Sequence, residues 1–283
     1  MNGFLFTDKL SDIDLDLNEL SQLEAERQAR RLIMIPSESI APKAVRQLLG
    51  SPFVNLYAEG YPRAETRTQT QAEILDLPTQ LGYYRRYGDL RYYKGVDYVN
   101  VVEALARRRA AELFAANTLA PEDLWVNVQP LSGAAANNAV YTALIKPGDT
   151  ILGMNLLHGG HLTHGSPVNR SGMWYNALHY TVDPETECLD YDQIAKIAEE
   201  NHPKVIIAGY SSYPWIPDWN KFKQIAESVG AYLFADVSHI AGFIAAGLCP
   251  SPVGIADVIS FTTHKTLCGP RGAVIITHNK DIG

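Results

Sequence analysis

The sequence predicts an α/β domain with a mainly parallel sheet flanked by helices. Beyond residue 98, amphipathic helices alternate with short apolar strands, which is typical of parallel sheets because helical crossovers join their strands. The 283 residues, 46% hydrophobic and 19% charged, can bury a large core and are not those of a disordered chain. Ligands of such sheets lie at the carboxyl ends of the strands, so functional residues are expected there.

The N-terminal region is predicted to be helical and polar. A helix over 18–32 carries Leu20, Leu23 and Ala29 near one face, which suits packing on a partner. A loop rich in hydroxyl and carboxylate groups then leads to a short helix, Lys43–Leu49, which ends at a Gly-Ser-Pro turn.

Residues 63–91 do not follow the alternating pattern. They contain a helical stretch over 71–77 and a cluster of three tyrosines and two arginines over 83–87. The segment is either a surface excursion that the tyrosines pack down or a part of a ligand site.

Helices and strands then follow in turn. A helix over 99–116 is expected to carry three arginines on its solvent side. Its core-facing residues are expected to be Val102, Leu105, Leu113 and Phe114. Further helices are predicted over 134–144, which the sequence Lys-Pro-Gly-Asp ends, and over 191–201 and 219–229. Strands are predicted over 125–128, 150–154, 204–208, 231–235 and 273–277, with another that starts at Val258.

Charge, cysteines and hydropathy argue against several classes of protein. A net charge of -7 gives no basic surface for nucleic acid. Three cysteines without Cys-x-x-Cys spacing predict neither a disulfide framework nor a cysteine zinc site, and they fit a reducing cytoplasm. We expect no export signal, because the first residues lack a basic start and a long apolar run. No membrane span is expected either, since no segment reaches about 20 apolar residues.

Two ionisable residues stand at the ends of successive predicted strands. Lys265 follows an apolar strand and precedes a glycine turn, where a lysine can be held near a carbonyl and kept partly neutral for covalent catalysis. A solvated lysine at a strand exit is the alternative. Asp236 directly follows the preceding strand, where it can pair with a cationic ring nitrogen or cap whatever follows.

Pyridoxal phosphate requires a lysine for its aldehyde, an acid for its ring nitrogen and donors for its phosphate. Lys265 and Asp236 would supply the first two. Ser132 and Gly133 open a predicted helix, whose backbone amides could bind the phosphate, although such a turn alone is a weak signal. Together these residues predict this cofactor.

Three histidines follow the strand over 150–154. His158, His161 and His164 are spaced by three, whereas the usual helical zinc pair is spaced by four, and no acidic ligand is close by. We therefore predict no metal site. His161 is instead expected to stack on the planar cofactor.

Seven motifs give the chain a family resemblance. They are Pro36-Ser-Glu-Ser39, Asn55-Leu-Tyr-Ala-Glu-Gly-Tyr-Pro62, Arg91-Tyr-Tyr93, Val128-Gln-Pro-Leu-Ser-Gly133, His158-Gly-Gly-His-Leu-Thr-His-Gly-Ser-Pro-Val-Asn169, Ala235-Asp-Val-Ser-His-Ile-Ala-Gly242 and Thr262-Thr-His-Lys-Thr-Leu-Cys-Gly-Pro-Arg-Gly272. Through them the sequence resembles serine hydroxymethyltransferase, a fold-type I pyridoxal-phosphate enzyme, from about the first helix to the last residue. The resemblance implies a helical arm and substrate loop over 1–50 and a cofactor-binding large domain over 51–283.

The resemblance also implies residue roles. Lys265 would bind the cofactor aldehyde, Asp236 the ring nitrogen, and Ser132 and Gly133 the phosphate. The other implied cofactor-binding residues are His161, Ser211 and Thr262, and His239 would contact the phenolic oxygen or the substrate side of the ring. The implied catalytic residues are Lys265, Glu59, His239 and His264, and the implied substrate-binding residues are Ser37, Tyr57, Glu59 and Tyr93. Tyr57 and Glu59 would serve the neighbouring subunit's site, so a homodimer with shared active sites is implied.

The implied reaction transfers the hydroxymethyl carbon of serine to tetrahydrofolate and leaves glycine. Glu59 would be the acid-base group for the serine hydroxyl and the folate. Two other functions remain open. One is a folate-independent aldolase or transaldolase for β-hydroxy amino acids, and the other is a non-catalytic, truncated chain that binds the cofactor and a dimer partner.

The sequence departs from the family pattern at three places. The phosphate turn has Leu-Ser-Gly-Ala-Ala-Ala where the family commonly has His-Ser-Gly-Ser-Gln-Ala, so phosphate binding is expected to depend more on backbone amides. Residues 63–90 are an insertion near the expected entry of folate and substrate. The chain ends at Gly283, before the smaller C-terminal domain that supplies the family's carboxylate-binding arginine, so no residue is assigned to that role.

Overall fold

The computed structural model describes residues 8–283, which form two compact units that divide between Glu38 and Ser39. The N-terminal unit contains helices α1 (Leu10–Ile13) and α2 (Leu15–Arg30). α2 starts before the predicted residue 18 because the Asp14 side chain caps it by accepting a hydrogen bond from the Leu17 amide. None of the residues of α2 is buried in the described chain, and the expected packing on a partner stays a prediction.

The second unit is built on a seven-stranded sheet. The strands are β1 (Trp125–Asn127), β2 (Thr150–Met154), β3 (Asn176–Tyr180), β4 (Val205–Gly209), β5 (Tyr232–Asp236), β6 (Val258–Thr262) and β7 (Ala273–Thr277). Their order is β1-β7-β6-β5-β4-β2-β3, and only β7 runs opposite to the rest. The prediction of a mainly parallel, mixed sheet is confirmed.

Helices surround this sheet. They are α3 (Lys43–Leu49), α4 (Gln71–Ile74), α5 (Leu77–Tyr87), α6 (Asp97–Phe114), α7 (Gly133–Leu144), α8 (Arg170–Trp174), α9 (Tyr191–Asn201), α10 (Trp219–Ser228) and α11 (Ala241–Ala245). Sequence analysis did not predict β3, α8 or α11. β3 is a half-exposed edge strand without a continuous apolar run, and the two helices have only five residues each.

Both faces of the sheet are buried, as a parallel sheet requires. In β2, Leu152 joins the larger apolar cluster while Ile151 joins the smaller one, because successive side chains of a strand point to opposite faces. Phe222 of α10 packs in the larger cluster, and Tyr141 of α7 packs in the smaller one. Helices on both faces therefore hold the strand ends in fixed positions.

The predicted orientation of α6 was only partly right. Phe114 is buried and Leu105 packs on the apolar cluster of this helix, as predicted, but the other two predicted core residues do not face the core. Val102 and Leu113 are 42% and 51% exposed, and the central arginine of the predicted solvent face, Arg108, is buried. The buried face includes Val101 and the small residue Ala104, which sequence analysis did not count as core. A shift of one residue rotates a helix face by about 100°, which accounts for the error.

Residues 63–90, which were predicted to be an insertion, form a folded excursion on α6. Ile74 of α4 packs with Val101 and Ala104 of α6, and Tyr84 of α5 is also buried. The predicted helix over 71–77 corresponds to the shorter α4, and the separate helix α5, which carries the tyrosine-arginine cluster, was not predicted. The two ends of the excursion meet, because a Cβ atom on Gly60 would lie 3.1 Å from the Arg91 Cα atom.

No helix within residues 8–283 combines the length and the apolar character that crossing a bilayer requires.

Candidate cofactor site at the carboxyl edge of the sheet

Asp236 is the last residue of β5, and its carboxylate is buried in a network of four hydrogen bonds. Its Oδ2 atom accepts from Asn137 Nδ2 at 2.8 Å and pairs with His164 Nε2 at 3.0 Å. Its Oδ1 atom accepts from the Ser238 hydroxyl at 2.6 Å and the Ser238 amide at 3.2 Å. Burial alone would raise the pKa of Asp236, but His164, Ser238 and Asn137 together lower it well below its usual value. Asp236 is therefore ionised, and a cationic ring nitrogen would join or replace one of these donors.

Lys265 lies beyond the end of β6, the parallel neighbour of β5. Its side chain is buried, and no residue of 8–283 forms a hydrogen bond with its amine. Burial lowers the pKa of Lys265, and the nearby charge of Asp236 only partly opposes that effect. The amine is thus more often neutral, and so more nucleophilic, than a lysine in water.

His161 lies in the loop after β2, and its ring is held in one orientation. Its Nδ1 atom accepts a hydrogen bond from the Thr163 amide at 3.2 Å and lies 2.7 Å from the Thr163 hydroxyl. Burial, followed by the charge of His164, lowers the pKa of His161 to about 4, although Asp236 acts in the opposite direction. The imidazole is therefore neutral near pH 7.

His239 follows β5 and is also neutral near pH 7. Burial, followed by the charge of Lys265, lowers its pKa to about 4, although Asp236 acts in the opposite direction. Its neighbour Ser238 accepts a hydrogen bond from the Thr262 amide at 3.2 Å, which ties this loop to the end of β6.

The start of α7 and the end of β6 form a small polar cradle. Ser132 caps α7 by accepting a hydrogen bond from the Ala135 amide at 3.2 Å. Only glycine fits next, since a Cβ atom on Gly133 would lie 2.8 Å from Thr262 Cγ2. The Thr262 hydroxyl is buried and has no hydrogen-bond partner among the described residues. An unpaired hydroxyl beside a helix N-terminus and a glycine matches the donor set that a phosphate group requires.

Ser211 and His264 also lie at this edge of the sheet. Ser211 follows β4, and its amide donates to the Gly159 carbonyl at 2.7 Å, which joins the loop after β4 to the histidine loop. His264 directly precedes Lys265. Burial and the charge of Arg271 lower the pKa of His264, and its Nδ1 atom is buried without a partner in the described chain.

The predicted substrate-binding residues do not belong to the hydrogen-bond network of this cluster in the described chain. Glu59 is exposed, and the rings of Tyr57 and Tyr93 pack together with centroids 5.3 Å apart. Among residues 8–283, no hydrogen bond or ring contact links these three to Lys265. Ser37 belongs to the N-terminal unit, so its part in the site stays a prediction.

A buried arginine holds the Glu59 segment. Arg91 Nη1 donates to the carbonyls on either side of Glu59, those of Ala58 and of Gly60, the latter at 2.9 Å. Its Nη2 atom pairs with Glu103 of α6 at 2.6 Å. The backbone around Glu59 is thus attached to a rigid helix although the Glu59 side chain is exposed.

Sequence analysis assigned no role to Asn137, Thr163, His164, Ser238 or Arg91. His164 was noted for its spacing, and Ser238 and Arg91 lie inside quoted motifs, so their positions were visible although their contacts were not. Asn137 gave no signal beyond its place in an alanine-rich helix start.

The statement that no acidic ligand is near the histidines was wrong. One ligand atom each from His161, His164 and Asp236 lies within 4.8 Å of the others, because the fold brings β5 beside the histidine loop. In this arrangement His164 Nε2 and Asp236 Oδ2 already form a hydrogen bond. That no metal is bound here stays a prediction.

This fold and site define the class of the protein. A mixed sheet with a buried lysine and a buried carboxylate beyond adjacent parallel strands is the arrangement expected for the large domain of a fold-type I pyridoxal-phosphate transferase.

The comparisons with known proteins identify the family. The family model described as serine hydroxymethyltransferase matches residues 10–85 and 64–282, and the two matched stretches overlap inside the insertion. The chain is 49% identical over 270 residues to the serine hydroxymethyltransferase of Prochlorococcus marinus (strain NATL2A), which covers 95% of this chain and 58% of that protein. It is 47% identical over 270 residues to that of Rippkaea orientalis (strain PCC 8801 / RF-1), covering 95% of this chain and 56% of that protein. The chain belongs to the serine hydroxymethyltransferase family, and it spans less than two thirds of these relatives.

Proposed function

We propose that this chain binds pyridoxal phosphate and carries the cofactor half of a serine hydroxymethyltransferase, which interconverts serine and glycine with tetrahydrofolate as one-carbon acceptor. The observation that carries the proposal is the convergence of Lys265, Asp236 and His161 at one edge of the sheet, two of them with pKa values shifted toward the neutral form. The names of the relatives, which span more than this chain, support the choice of reaction.

The residues of the cluster fit distinct tasks. Lys265 binds the cofactor aldehyde, and the ionised Asp236 keeps a proton on the ring nitrogen. The neutral ring of His161 covers one face of the cofactor ring. Thr262 and the amides after Ser132 bind the phosphate. When bound, the cofactor supplies an electron sink for the carbanion left when the bond between the α and β carbons of serine breaks.

The other implied residues complete the proposal. His239, His264 and Ser211 line the substrate side of the cofactor. Glu59 moves the proton of the serine hydroxyl, and because its side chain is exposed and has no hydrogen bond to Lys265 we place it, with Tyr57, in the site of a second copy in a homodimer. Ser37 and Tyr93 supply the remaining substrate contacts. The three cysteines are free, which supports a reducing compartment such as the cytoplasm.

Absorbance of the purified protein tests the cofactor assignment. Pyridoxal phosphate joined to a lysine absorbs visible light, so the wild type should gain that band and Lys265→Ala should not. Lys280→Ala removes an exposed lysine beyond β7 and serves as the matched control, which should keep the band. A band of equal size in Lys265→Ala contradicts the assignment.

Product analysis tests the reaction. Serine should yield glycine at a rate that rises strongly when tetrahydrofolate is added, because the acceptor removes the one-carbon unit. Turnover of threonine-like substrates alone, without response to folate, would instead support the aldolase function. A visible band with no turnover of any of these substrates would support the non-catalytic function.

A further inference from the structure

Asn137 connects three elements of the cofactor site from inside α7. Its side chain is almost completely buried, with 1% of the residue exposed. The amide nitrogen donates to Asp236 Oδ2 on β5 and to the Thr163 hydroxyl in the histidine loop, both at 2.8 Å. The amide oxygen accepts from the Ser260 hydroxyl on β6 at 2.7 Å. One side-chain amide is therefore hydrogen-bonded to β5, to β6 and to the histidine loop.

Asp236 fixes the orientation of this amide. An ionised carboxylate can only accept hydrogen bonds, so the nitrogen of Asn137 and not its oxygen must face Asp236. The second hydrogen of that nitrogen then points to Thr163, and the oxygen is left for the proton of Ser260. The reversed amide would place two acceptors together at Asp236 and leave Ser260 without its acceptor.

The Thr163 hydroxyl passes this orientation on to His161. Its oxygen accepts from Asn137 and keeps its own proton free for an acceptor, and His161 Nδ1 lies 2.7 Å away. The Thr163 amide donates to the same nitrogen at 3.2 Å. Two donors at Nδ1 leave no place for a proton there, and the ring proton must be on Nε2.

We infer that Asn137 is a positioning residue that sets the tautomer of His161 by relaying the ionised state of Asp236 through Thr163. The inference rests on the proposed function in one respect, since the proposed function identifies the ring that His161 covers as that of pyridoxal phosphate. A histidine held neutral by this relay can lie on a cationic cofactor ring without repulsion between like charges. The tautomer itself is a property of the chain and can be measured without cofactor.

Nitrogen-15 NMR of histidine-labelled, cofactor-free protein at pH 7.5 gives the readout, since the two ring nitrogens differ in shift according to which carries the proton. The His161 signals are assigned by their loss in His161→Gln. In the wild type we expect one tautomer, with the proton on Nε2. In Asn137→Asp, which is nearly isosteric but replaces the donors by acceptors, we expect a mixture in which Nδ1 carries a proton in a substantial fraction of molecules.

Asn138→Asp is the matched control, because it adds the same charge to the same helix, and no hydrogen bond of its side chain reaches the cluster in the described chain. Its His161 signals should equal those of the wild type. Thr163→Val is the second variant, since it keeps the shape and removes only the hydroxyl relay, and it decides the question if Asn137→Asp does not fold. An unchanged His161 tautomer in Thr163→Val, or in a folded Asn137→Asp, overturns the inference.

Two outcomes separate this inference from the proposed function. If the wild type shows the Nε2 tautomer and the variants lose it, but no visible band forms with pyridoxal phosphate, the relay is supported and the proposed function fails. If the band forms while the tautomer is indifferent to Asn137 and Thr163, the proposed function stands and the relay is refuted.

Discussion

Acidification is expected to remove a defined amount of stability through one histidine, His239. Its pKa is about 4 in the fold, against 6.5 for a free histidine, because burial and Lys265 disfavour the charged form. Between these values the unfolded chain binds more protons than the folded chain, so stability rises with pH and is complete above about pH 6.5. A difference of about 2.5 pKa units corresponds to at most roughly 3 kcal/mol, and solvent screening of the partly exposed ring reduces this to about 1–2 kcal/mol, lost as the pH falls from 6.5 to 4.

Urea unfolding of cofactor-free protein, measured at several pH values across this window, provides the test. His239→Gln cannot gain the proton, so its stability should fall by about 1–2 kcal/mol less than that of the wild type between pH 6.5 and 4. His158→Gln removes an exposed histidine and is the control, with a curve parallel to that of the wild type. The reasoning is refuted if His239→Gln and the wild type lose stability in parallel over the whole window.

Three further predictions concern two glycines and a buried ion pair. Gly133→Ala places a Cβ atom 2.8 Å from Thr262 Cγ2, so cofactor affinity, measured by absorbance titration, should fall about tenfold, or roughly 1.4 kcal/mol. Gly82→Ala in α5 meets open space, so it should raise the free energy of unfolding, measured in urea, by about 0.5–1 kcal/mol. Equal affinity in Gly133→Ala would show that the cradle does not bind the phosphate. Arg91→Met leaves Glu103 without its buried partner and should lower the free energy of unfolding by about 3–5 kcal/mol. The exposed-site control Arg85→Met should change it by less than about 0.5 kcal/mol, and an Arg91→Met protein as stable as this control would contradict the role given to Arg91.

The central strands could be predicted from sequence because local pattern and tertiary environment agree there. β4 and β5 are apolar runs between helix ends, and burial on both faces is what such runs indicate. β3 has only one fully buried residue, so its pattern was too weak to separate from a loop. In α6 the pattern was present, but alanines and a buried arginine occupy much of the core face, so the large apolar residues Val102 and Leu113 were assigned to the wrong side.

From the sequence, only those site residues could be predicted whose type and position along a strand indicate their chemistry. Lys265 and Asp236 lie at strand ends, and a strand end can be recognised in the sequence. The partners of Asp236 cannot, because Asn137 is 99 residues away and His164 is 72 residues away, and their contacts exist only once the sheet order is known. For the same reason, the spacing of the histidines did not indicate that His161 and His164 lie close to the Asp236 carboxylate.

The contact between Gly60 and Arg91 has a consequence for protein engineering. Because the excursion leaves and returns at one point, and Arg91 holds the Gly60 carbonyl at 2.9 Å, closing the chain there does not depend on how many residues lie between. Loop entropy grows only slowly with length, so this point should accept a graft of a foreign module as readily as the native helices. What such a graft must reproduce is the cover over Val101 and Ala104 that Ile74 now provides.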